Sequence, residues 1–274
     1  MAWERGLGGL LIRSSRPRCW HSRVVDRRHL IGAARAVVTS SAPAAAGTAF
    51  EQVASSSDDT IAVTDPRDFA VTIPPGTGRV ILDFIGYASD FNTAFVDSDI
   101  IDPGGGQQVA LTEAEERKEP SGSAAAIKLY YLLDTNMPTG PTETLRYDQD
   151  NAAGNAAKWG PRQIITVHGA AQTVHHSGNQ HDANANLVVT CARTGGGNFA
   201  TGSLVWVGLM SEGTGAYTVT GHATEVRDIQ VSTNRRFVFA HGTLGAGVAI
   251  ASVTFATISA TLQKAAAIAV LEPA

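Results

Sequence analysis

Four histidines, His168, His175, His176 and His181, fall within 14 residues and end beside Asp182. Neutral imidazole is the commonest transition-metal ligand, so the cluster poses a metal question. A zincin, however, needs two histidines one helical turn apart around a glutamate, and the chain has neither a His-Glu-x-x-His nor a Cys-x-x-Cys motif. The segment from His168 to Asp182 therefore reads as a polar loop at a rim or a subunit contact. A second group, Asp90, Asp97, Asp99 and Asp102, precedes Gly104, Gly105 and Gly106. Oxygen ligands on a turn-rich loop suit calcium, but the Asp-x-Asp-x-Asp-Gly order and the closing glutamate are missing. The expectation is an exposed acidic loop that pairs with arginines. Glu113, Glu115, Glu116 and Glu119 flank Arg117 and Lys118 and read as a solvated face. Neither metal nor cofactor is expected.

Nucleophile and phosphate signatures are absent. There is no Gly-x-Ser-x-Gly elbow and no Gly-x-x-x-x-Gly-Lys loop, and the glycines of GTLGAG precede an apolar strand where phosphate binding would need a helix. Cys191 sits in LVVTCAR, where a cysteine serves as a small hydrophobe. No catalytic residue is assigned, and the chain reads as non-enzymatic.

The elements that would carry these groups are strands. From residue 58 onward, runs such as RVILDFIGY, AIKLYYLLD, RQIITVHG, SLVWVGLM, RFVFAHG and GVAIASVTFATISATL have strand length and β-branched or aromatic content. PPGTG, DPGGG, NMPTGP and RTGGGN lie between such runs, with proline presetting one turn dihedral and glycine supplying positive φ. One short helix is expected at Leu111 to Glu119, capped by Thr112 and stopped by Pro120. Many short strands without alternating helices predict an all-β fold, an antiparallel β-sandwich or jelly roll over residues 58 to 274. VILDFI is nearly continuous, so its strand is expected to be central to the sandwich or covered by another subunit, and Asp83 within it needs solvent, a polar partner or an arginine of a neighbour.

A chain of 274 residues can bury a core without disulfides, and two cysteines 172 positions apart make no framework. The clean apolar stretches, such as Ala265 to Leu271, fall short of the roughly 18 residues of a bilayer span, so the chain reads as soluble with no membrane partner.

Charge divides the chain. Residues 1 to 35 hold eight arginines and two acids, a local charge of +6, which leaves −10 on the rest of a chain whose total is −4. Interleaved with the arginines are Trp3, Leu7, Leu10, Leu11, Ile12, Trp20, Val24, Val25, Leu30 and Ile31. An Arg-rich, acid-poor start is also the composition of a transit peptide or a nucleic-acid arm. A segment this apolar is better buried against protein, so the expected partners of this extended arm are other proteins. Trp3, Arg5, Arg13, Arg16, Arg18, Trp20, Arg23, Arg27 and Arg28 are the anchors, and nucleic acid is disfavoured. Residues 36 to 57, rich in Ala, Ser, Thr and Gly, read as a linker.

The succession FAVTIPPGTGRVILDFIGY, QQVALTE, AIKLYYLLDTNMPTGPTETLRY, ANLVVTCAR and AAAIAVLEPA resembles jelly-roll-like β-sandwich domains of bacteriophage virion proteins, such as head-fibre or decoration and tail-fibre modules, and of some bacterial surface proteins. The resemblance spans about residues 58 to 271 and rests on strand order and turn residues. It implies a structural virion component that aids host attachment, and no chemistry. The apolar VILDFI strand and the Ala-rich carboxyl end add an expectation of a homo-oligomer, with a trimer favoured. The competing classes are a module that binds a host-surface glycan through exposed Tyr, Trp and Asn, and a surface polysaccharide hydrolase.

Overall fold

The computed structural model describes residues 50–58, 67–73, 75–89, 96–102, 109–118, 124–137, 142–150, 158–181, 187–213, 215–232, 234–258 and 263–274. Residues 1 to 35, with all nine arm anchors, lie outside the described residues. The first half of the described chain contains β1 (Glu51–Asp58), β2 (Arg67–Thr72), β3 (Val80–Ser89), β4 (Val96–Asp102), β5 (Val109–Ala110), β6 (Thr112–Lys118), β7 (Ala124–Leu133), β8 (Thr142–Asp150) and β9 (Lys158–His168). The second contains β10 (Ala170–His181), β11 (Val188–Thr194), β12 (Leu204–Glu212), β13 (Tyr217–Gly221), β14 (Thr224–Ser232), β15 (Arg235–Thr243), β16 (Ile250–Thr257) and β17 (Lys264–Pro273). Every ladder is antiparallel, as a sandwich requires.

Among the described residues four sheets form, and each draws on one half of the described chain only. The first half makes an inner sheet β1-β9-β3-β7-β6 and an outer sheet β2-β8-β4-β5, and the second makes an inner sheet β10-β17-β12-β15-β14 and an outer sheet β11-β16-β13. β5 and β6 are two parts of one strand that changes sheet at the buried Leu111. Counted so, each half has eight strands. In the first, strands one and eight, two and seven, three and six, and four and five pair, which is the jelly-roll order. The second half repeats the first three pairings. Its fourth forms no ladder among the described residues, and there the Tyr217 N–H donates to Asp228 Oδ2 at 3.1 Å.

The two inner sheets share a core. Along β3, Val80, Leu82 and Phe84 face this seam and Ile81 and Ile85 face the first outer sheet, so the continuous apolar run is covered on both sides within the chain. β17 behaves likewise, with Ala265, Ala267, Ala269 and Leu271 in the seam and Ala266, Ile268 and Val270 against the second outer sheet. Both strands that suggested a covering subunit are thus covered internally. Phe84 and Phe239 meet edge to face across the seam at 5.5 Å, and Trp206 Nε1 donates to Gln52 Oε1 at 3.2 Å.

The seam has reciprocal contacts. A Cβ on Gly86 of β3 would meet Phe237 and Met210 of the second roll, while one on Gly208 of β12 would meet Ile127 and Phe84 of the first. These glycines hold corresponding places, since each is on the third strand of its roll, opposite Ile127 on β7 and Phe239 on β15. Arg117 and Arg227 also correspond, opposite Ile127 and Phe239. Arg117 lies against Gly178 of the second roll, and Arg227 donates to the Arg162 carbonyl of the first at 2.9 Å. Such exchange of equivalent contacts is how the two subunits of a symmetric dimer pack. The rolls are joined by one residue, Gly169, whose φ of 71° is accessible to glycine at little cost.

Two local expectations are corrected. Residues 112–118 are not helical but form β6, because β7 offers a ladder and buried partners for its charges. The sheet also starts before residue 57. Residues 51–57 of the expected linker, together with Asp58, form β1, paired with β9. Among the described residues, no helix is long and apolar enough to cross a membrane.

Candidate functional site

The histidine segment is strand, not loop: His168 ends β9, and His175, His176 and His181 lie on β10. Adjacent residues on a strand point to opposite faces, so the imidazoles of His175 and His176 diverge. His175 Nε2 lies 3.2 Å from Glu272 Oε2 of β17 and packs edge to face on Phe199. His176 Nδ1 lies 3.0 Å from Glu115 Oε1 of β6, in the other roll, and His168 Nε2 lies 3.3 Å from Glu51 Oε1 of β1. Three imidazoles therefore serve three separate carboxylates. Among the described residues, no group of three His, Cys, Asp or Glu side chains is placed to hold a metal. Asp182 and Asp90 lie outside the described residues, and Asp97, Asp99 and Asp102 belong to β4, a strand where an acidic loop was expected.

The densest group of buried charge is on the face of the first inner sheet that looks into its own roll. Asp83 of β3 is wholly buried and accepts from Arg162 of β9, whose Nε lies 2.8 Å from Oδ1 while the Nη2 meets Oδ2. The arginine that Asp83 needs is thus in the same chain. Beside it, Lys128 of β7 is 2% exposed, with its Nζ 3.3 Å from Glu113 Oε2, 3.7 Å from Glu116 Oε1 and 3.3 Å from the Tyr130 hydroxyl. Tyr87 donates to Glu116 Oε1 at 2.6 Å. A bulge between Glu113 and Glu115 gives β6 its facing: Glu113 and Glu116 turn to Lys128, and Glu115 turns to His176. Glu113, Glu115 and Glu116 of the expected solvated face are therefore divided between two networks, and Glu119 lies outside the described residues.

Sequence reasoning singled out Asp83 but missed Lys128 and Arg162. The signal was available, since a lysine interrupts AIKLYYLL as the aspartate interrupts VILDFI. Chemically, the arrangement matches carboxylates to cations, and its tyrosines hydrogen-bond to the same carboxylates. It stores opposite charges in contact, which orders strands.

Cys191 is buried in β11, with its thiol 3.8 Å from the Ser177 carbonyl. Burial first, and then the charge of Glu115, push the thiol up to about 12. The thiolate is the reactive form, so in the native protein Cys191 should resist iodoacetamide at pH 8 and react only on unfolding, as read by peptide mapping that separates it from Cys19. The sign for stability follows: the raised folded value contributes stability that is complete below about pH 9 and is lost as pH climbs toward 12. Urea midpoints from pH 7 to 11 would read this, and a Cys191→Ala variant should lose less over that range. Fast alkylation of Cys191 in the native protein would contradict the burial argument.

Comparison of the chain with protein-family models, with curated proteins and with solved structures finds no match.

Proposed function

We propose that this is a non-enzymatic structural protein of a bacteriophage virion, in which the Arg- and Trp-containing arm anchors to other virion proteins and the double jelly roll is displayed. The observation that carries this reading is the composition of residues 1 to 35, a charge of +6 interleaved with ten large apolar side chains. Burying each such side chain contributes about 1.5 to 3 kcal/mol, whereas an exposed ion pair contributes about 0 to 1. Apolar contact then supplies most of the anchoring, and the arginines supply register and encounter rate. The test is a salt titration of purified particles with wild-type protein and with Trp3→Ala and Trp20→Ala variants. Attachment should survive 200 mM salt and weaken in the tryptophan variants. An arm bound to six or more phosphates would instead lose about 10³ or more in affinity between 50 and 200 mM. Salt release with the tryptophan variants still attached would replace the protein partner by nucleic acid.

A further inference from the structure

Two rolls with one strand order, joined by a single residue, face a pairing problem. The eighth strand of each roll adds beside a third strand, β9 on β3 and β17 on β12, and the ladders have the same direction and comparable registers. Many of the facing positions do not tell the two apart. With Gly86 matched to Gly208, Ile85 corresponds to Val207 and Ile164 to Val270, aliphatic in both rolls. One pair of positions differs in kind. Asp83 corresponds to Val205, and Arg162 corresponds to Ile268. Lys128 likewise corresponds to Ala240. All six are buried, so the second roll demonstrates that this fold closes over apolar residues at these places.

We propose that the Asp83–Arg162 pair assigns the eighth strand to its own roll, keeping β9 on β3 and β17 on β12. In the native arrangement the carboxylate and guanidinium meet in two contacts. After an exchange, Asp83 would lie beside Ile268 and Arg162 beside Val205, and each would be buried without that counter-charge. Removing one partner of a buried pair is far more costly than replacing both by apolar residues, and fixing register is the best-attested use of such pairs. The pair therefore adds little to the native state and penalises the exchanged one.

The experiment uses the full chain. The double variant D83V/R162I copies Val205 and Ile268 into the first roll and removes the distinction. After unfolding in urea and dilution at micromolar concentration, wild-type protein should return to the size and spectrum it had before. The double variant should have an equal or higher urea midpoint, yet leave a fraction of altered-size, strand-exchanged species larger by roughly threefold or more. Recovery equal to wild type overturns the proposal. So does a lowered midpoint with an unchanged size distribution, which would make the pair purely stabilising. If the double variant does not accumulate in folded form, the reversed pair D83R/R162D decides. Its recovery with no more strand-exchanged species than wild type supports assignment by pairing, and an exchanged fraction well above that of wild type overturns it.

Discussion

Asp83→Val alone should be among the most damaging single substitutions in the body, lowering unfolding free energy by about 3 to 5 kcal/mol, because it leaves the Arg162 guanidinium buried without its carboxylate. For a folded unit of 150 to 250 residues, each kcal/mol moves the melting temperature by roughly 2 to 4 °C. Adding Arg162→Ile should recover most of the loss, since both buried charges are then gone. The measurement is a double-mutant cycle by urea unfolding. Additive losses would show that the two side chains do not act as a pair.

Filling the seam should be the next most harmful change. A Cβ on Gly208 would lie 2.7 Å from Ile127 Cδ1 and 3.1 Å from Phe84 Cδ1, and one on Gly86 would lie 2.8 Å from Phe237 Cδ2 and 3.0 Å from Met210 Sδ. Gly208→Val and Gly86→Val should each cost about 1 to 3 kcal/mol, the range for overpacking a filled core, despite the better strand propensity of valine. Gly197, around which a Cβ would meet nothing within 4 Å, is the control. Gly197→Ala should stay within about 0.5 kcal/mol. Equal behaviour of all three glycines in urea unfolding would mean that the sheets yield at the seam.

The strands were legible because β-branched runs and Gly-Pro turns are local signals, and the double coverage of β3 followed from VILDFI alone. β6 was not, because Glu, Lys and Arg favour helix when nothing else competes. Its state is set by Lys128, Tyr87 and His176, which lie far off in sequence. The histidines were misplaced on a loop for a related reason: SGNQH reads as polar turn chemistry, yet each of its residues takes a ladder place on β17. The doubling of the roll left almost no trace in the sequence. It is carried by pairing order and by a few matched residues such as Gly86 with Gly208 and Arg117 with Arg227, too sparse to form a repeat. Of the candidate site, the aspartate was legible as an anomaly, but its partner was not, since an arginine opening RQIITVHG gives no sign that it is buried.

The shared seam has a thermodynamic consequence. Each inner sheet supplies one wall of the central core, so unfolding either roll would strip the other of half its lining and expose Phe84, Trp206, Phe237 and Phe239 to water. Neither roll has a cheap partly unfolded state with the other intact. The two rolls should melt in one calorimetric transition, as a single cooperative domain, although each has the strand complement of a domain that elsewhere stands alone.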